Sequence, residues 1–121
     1  MAKIIPIKSI KDERGALTVI QDELPFDVKR IFYIYNADNS KRGGHRHHKT
    51  IQAAICVSGE CKIYINNGKD KQVYILDNPN VCLLLEPEDF HTMYDFNDHA
   101  VLLVLASEKY DPKDYIHEEY D

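Results

Sequence analysis

A chain of 121 residues with 44% hydrophobic and 29% charged side chains is long enough for one domain with its own core, too short for two, and too apolar for wholesale disorder. Its formal net charge of −5 argues against nucleic acid as the partner, because phosphate backbones are held by a basic excess. No apolar run approaches the roughly 18 residues of a membrane span, and residues 1–10 lack the apolar segment of an export signal.

Taken in order, short runs of Ile, Val, Leu and Tyr alternate with turn residues, and no convincing helical period appears before the tail. The pattern predicts strands over residues 4–10 and 16–21, joined by a turn at Asp12-Glu13-Arg14-Gly15. Residues 29–35 alternate Arg30, Phe32, Ile34 against Ile31, Tyr33, Tyr35, as a strand between core and cavity would. Residues 50–57 are almost wholly apolar apart from Gln52, which marks Gln52 as a cavity candidate. Residues 61–65 and 72–76 flank Asn67-Gly68, a strong hairpin signal. Further strands are predicted over 81–85, 90–96 and 100–106, the last apolar enough to be buried on both faces. Residues 107–121 carry tyrosines among charges and are expected to cross the sheet as turns or a short helix. The fold class is therefore all-β, with about nine or ten short strands in one sandwich or barrel. Cys56, Cys61 and Cys82 have no CxxC spacing and lie among strand formers, so they read as reduced core thiols of a cytoplasmic protein.

The most unusual stretch is Arg42-Gly43-Gly44-His45-Arg46-His47-His48-Lys49. On a strand, His45 and His47 share one face, while Arg46 and His48 point away. Two imidazoles on one face make either a proton-handling site or a metal site. Arg42, Arg46 and Lys49 concentrate positive charge beside them in an acidic protein, which suits a small anionic ligand. A cation at Arg42 or Lys49 also disfavours the protonated imidazole and keeps a base available.

His45-x-His47, then Gln52, Gly59, Pro87 and His91, resembles the cupin pattern, a small jelly-roll β-barrel. Metal-binding cupins normally carry a glutamate at the position of Gln52. A neutral amide is a poor ligand for the metals that imidazole favours, so no metal is expected, and a metal-dependent cupin enzyme is the first alternative.

The resemblance extends further. Asp12-Glu13-Arg14-Gly15-Ala16-Leu17, Pro25-Phe26-Asp27-Val28-Lys29-Arg30-Ile31-Phe32-Tyr33-Ile34-Tyr35, the histidine stretch with Gln52, Phe90-His91-Thr92-Met93-Tyr94-Asp95-Phe96, Val101-Leu102-Leu103-Val104-Leu105-Ala106-Ser107, Tyr110-Asp111 and Asp114-Tyr115-Ile116 resemble, in order, the sugar-nucleotide 3,4-ketoisomerases. That resemblance implies a cofactor-free homodimer acting on dTDP-4-keto-6-deoxyglucose, moving the ketone from C4 to C3 through an enediol. It implies His45 and His47 as the proton-transfer pair, with His47 the principal base. It also implies substrate contacts from Arg42, Tyr33, Gln52 and His91. Guanidinium groups pair well with phosphate oxygens, which favours Arg42 and Arg14, with Lys49 a further cation for the anionic substrate. Two departures from the family pattern stand out: Arg46 and His48 beside the motif histidines, and Phe90 where a tryptophan is usual. A noncatalytic sugar-nucleotide binding module is the second alternative.

Overall fold

The computed structural model describes residues 1–121. Twelve strands follow in sequence: β1 (Lys3–Pro6), β2 (Ser9–Asp12), β3 (Gly15–Thr18), β4 (Arg30–Ile34), β5 (Arg42–His47), β6 (Gln52–Ser58), β7 (Cys61–Asn66), β8 (Lys71–Leu76), β9 (Val81–Leu85), β10 (Phe90–Tyr94), β11 (Val101–Ala106) and β12 (Tyr115–Ile116), with one 3-10 turn at Pro112–Asp114. Ten of these build two antiparallel five-stranded sheets, ordered β1-β9-β6-β11-β4 and β12-β5-β10-β7-β8, and β2 and β3 form a separate hairpin. The all-β jelly-roll expectation holds.

The strand count exceeds nine or ten for two local reasons. The expected first strand divides after Pro6: the Ile7 N–H makes the last bond toward β9, to the Asn80 carbonyl, and Ser9–Asp12 then pairs with β3 instead. The tail forms β12, which adds to β5 with Tyr115 opposite His47.

The core lies between the sheets. Ile34, Ala54, Cys56, Ile63, Leu83, Leu85, Met93, Leu102 and Val104 belong to its main cluster. β6 and β11 are buried on both faces because Ala53, Ile55 and Leu105 pack on the outer side with Ile7 and Cys82, under Ile20, Leu24 and Phe26. That outer cover explains why their sequences read as continuous apolar runs rather than alternating ones. All three cysteines are free and buried, as expected of core thiols.

Candidate active site

Three strand registers place the site. On β6 the inward row Ala54, Cys56 continues to Gln52, which is only 2% exposed and ends the core at a cavity. On β5 the alternation brings the rings of His45 and His47 to 5.1 Å between centroids. β10 runs antiparallel to β5 with His91 opposite His45, and those two rings lie 4.9 Å apart.

The cavity is about 400 Å³ and is walled by Arg30, Phe32, Arg42, His45, Gln52 and Tyr115, among others. His45 is half-buried on that wall. His47 and His91 lie behind it, at 4% and 1% exposure. Of the pair, the imidazole that borders the cavity is that of His45, and His47 packs against it from the interior.

Other expected residues fall in different places. Tyr33 borders the cavity, but the β4 alternation turns its ring outward; it is 61% exposed and lies 5.9 Å from the Tyr35 ring. Within one chain Arg14 is not at the site. It sits in the β2–β3 turn, held at 2.6 Å by Asp12. Lys49 contributes its backbone N–H, which donates to Asp114 at 2.9 Å, while its side chain lines another groove with Lys29 and Glu108. Arg46 faces away from the histidines, as alternation requires, and lies 4.0 Å over the Tyr120 ring with Nε donating to the Glu118 carbonyl. It therefore holds down the tail. Phe90 is buried and does not line the cavity.

The tail supplies residues that the motif did not reveal. Tyr115 packs its ring edge-on to both His45 and His47, at 4.7 and 4.6 Å, and its hydroxyl accepts from Arg30 Nη2 at 3.2 Å. Asp114 is 5% exposed, and its Oδ2 lies 3.1 Å from His47 Nδ1. Thr50 Oγ1 donates to the same carboxylate oxygen in a short hydrogen bond. His91 Nδ1 is 3.0 Å from the Asp89 carbonyl oxygen. The Nε2 atoms of His47 and His91, Oε1 of Gln52 and Nε of Arg30 are buried with no hydrogen-bond partner in the protein.

Burial sets the protonation of the trio. It pushes His45 down to about 4, helped by the facing His91 and His117. It pushes His47 down to about 4 as well, with His45 adding to the effect and Asp114 opposing it. Burial likewise lowers His91 to about 4. At neutral pH all three are neutral imidazoles with a lone pair available. Burial alone would raise Asp114, but hydrogen bonds from Thr50, the Lys49 N–H and His47 outweigh it and hold the carboxylate below its ordinary range.

One nitrogen from each of His45, His47 and His91 lies within 4.8 Å of the others, so the trio could hold a divalent ion. The remaining inward group is the neutral amide of Gln52, which leaves that ligand set without an anionic member.

The family model described as "FdtA: WxcM-like, C-terminal" matches residues 1–121. The chain belongs to the FdtA family. It is 39% identical over 122 residues to the TDP-4-oxo-6-deoxy-alpha-D-glucose-3,4-oxoisomerase of Aneurinibacillus thermoaerophilus, covering 98% of this chain and 87% of that one. A histidine-to-asparagine variant of the 3,4-ketoisomerase QdtA from Thermoanaerobacterium thermosaccharolyticum, solved with TDP-4-keto-6-deoxyglucose, superposes with a TM-score of 0.94 at 39% identity, over 97% of this chain and 87% of that one. A 3,4-ketoisomerase from Helicobacter canadensis superposes at 0.92 with 36% identity, over 97% and 90%.

Proposed function

We propose that this FdtA-family chain is a cytoplasmic, cofactor-independent sugar-nucleotide 3,4-ketoisomerase that converts dTDP-4-keto-6-deoxyglucose to the 3-keto isomer. The observation that carries the reading is the pair of neutral imidazoles, His45 on the cavity wall and His47 packed against it at 5.1 Å. The hydrogen at C3 is acidified by the neighbouring C4 ketone. His45 removes it as the imidazole pair gives a proton to the C4 oxygen, forming the enediol. The C3 hydroxyl then gives its proton to the pair as the C3 ketone forms, and the proton taken from C3 is delivered to C4. Atoms and electrons balance within the substrate, so the step needs no oxidant, and two adjacent imidazoles suffice to move both protons.

Around that centre, Gln52 Oε1 faces a sugar hydroxyl. Arg30 and Arg42, both on the cavity wall, take the anionic side of the substrate. Two copies form the working unit. The β2–β3 hairpin exposes Ile10 and Leu17, and the edge strand β4 exposes Ile31 and Tyr33 with Tyr35 beside it. An isolated hairpin is marginal and an apolar sheet edge invites pairing, so a second copy is the natural cover.

The test is incubation of purified protein with dTDP-4-keto-6-deoxyglucose, before and after chelator treatment, with the sugar followed by proton NMR. Appearance of the 3-keto isomer in both samples supports the reading. Unchanged sugar contradicts it, and activity that disappears with the chelator and returns with a divalent ion supports the metal-dependent alternative.

A further inference from the structure

We propose that Asp114, with Thr50, is the positioning group that locks His47 in the tautomer carrying its proton on Nδ1, so that Nε2 faces the histidine cluster as a ready proton acceptor. The proposal rests on the isomerase reading for its consequence in catalysis, but the geometry stands on its own.

Asp114 ends the 3-10 turn at Pro112–Asp114, and β12 follows it directly onto β5. The buried carboxylate is fully committed. Its Oδ1 accepts the Lys49 N–H at 2.9 Å, and its Oδ2 accepts the Thr50 hydroxyl and faces His47 Nδ1 at 3.1 Å. An ionised carboxylate can only accept, so Nδ1 must be the donor and carry the ring proton. The other nitrogen, Nε2, is buried and has no partner in the protein. One nitrogen of His47 lies within 4.8 Å of one nitrogen each of His45 and His91, so the ring borders the histidine cluster. His47 is thereby presented to its neighbour His45 as a base with its lone pair inward.

Thr50 and the Lys49 N–H hold the carboxylate, which holds the ring. His45, which meets the cavity directly, is paired with no carboxylate; its ring lies against those of His47, His91, Tyr115 and His117 and has a backbone hydrogen bond at Gly43. The two imidazoles are therefore held differently, His47 by a buried carboxylate and His45 by its ring neighbours and the Gly43 backbone.

Replacing Asp114 by Asn makes the test sharp. The amide carbonyl must stay on the Lys49 N–H, which needs an acceptor, so the NH2 group turns toward His47 Nδ1 and Thr50. A donor there forces Nδ1 to accept, and the ring proton moves to Nε2. Histidine-labelled protein is examined by 15N NMR, with the His47 signal assigned by its loss in His47→Asn. The expected result is an Nδ1–H tautomer in the unaltered chain and an Nε2–H tautomer in Asp114→Asn, with kcat down at least about 100-fold and KM within about threefold. Thr50→Val should keep the tautomer and lower kcat by a smaller factor. An Nε2–H tautomer in the unaltered chain overturns the proposal, and that measurement needs neither a variant nor a substrate. Loss of kcat with the tautomer unchanged overturns it too, since Asp114 would then be serving the fold alone. A chain that fails to isomerise the sugar sinks the isomerase reading separately, because the tautomer is read without turnover.

Discussion

At the residue scale, the decisive property is that burial keeps three imidazoles neutral. His45, His47 and His91 are each pushed down to about 4 from an ordinary value near 6.5. In the unfolded chain these rings take protons as the pH falls through 6.5, whereas the folded chain resists until about 4. The unfolded state therefore binds more protons across that interval, and the stability contributed by the neutral rings is lost progressively on acidification through it. Thermal unfolding at pH 7 and pH 4.5 should show a clear fall in Tm at the lower pH, and His91→Asn should reduce the size of that fall. The rate should stay level down to about pH 5 instead of declining near 6.5; a decline centred near 6.5 would mean the bases are not buried as described. The pairing of His45 with His47 was legible because strand alternation has a fixed period of two, and Gln52 because a lone polar group broke an apolar run. Asp114 was not legible as a partner of His47, since 67 positions separate them and only the β12–β5 pairing brings them together.

At the element scale, the site depends on the register of β5 against β10 and on how the tail is fastened. Gly43 adopts a φ of +83°, and a Cβ placed there would lie 2.9 Å from the His91 carbonyl oxygen. Gly44 has a φ of +77° but faces open space. Gly43→Ala should therefore destabilise by on the order of 2 kcal/mol and lower kcat, because the strands that align His45 with His91 must separate. Gly44→Ala should show the backbone strain alone and keep most of the activity. Equal effects of the two variants in thermal melts and rate assays would contradict this account of the close approach. The tail is fastened by Asn66, whose amide donates to Glu119 and to the Tyr120 carbonyl, and by Arg46 over Tyr120. The central strands were predictable to within a residue or two, since core burial imposes their apolar pattern. The tail was not, because its tyrosines and charges are spent on specific contacts that leave no periodic signature.

At the scale of the whole molecule, the sheets make a closed core, yet the β2–β3 hairpin and the β4 edge leave Leu17 and Ile31 60% exposed. The account predicts a dimer by light scattering, and a monomer when both Leu17 and Ile31 are changed to Glu; a monomeric unaltered chain would contradict it. All-β architecture and the barrel class followed from strand count and turn spacing, whereas these exposed faces could not be read from alternation that treats every apolar face as core. The central claim is that imidazoles at the end of the barrel move hydrogen between adjacent sugar carbons. Its most direct test is dTDP-4-keto-6-deoxyglucose deuterated at C3, incubated with the unaltered chain and with His45→Asn, with C3 and C4 followed by NMR. The account predicts that the unaltered chain removes the label from C3 as the 3-keto isomer forms, and that His45→Asn leaves it in place at least about 100-fold longer. Removal of the label at an undiminished rate by His45→Asn would contradict it.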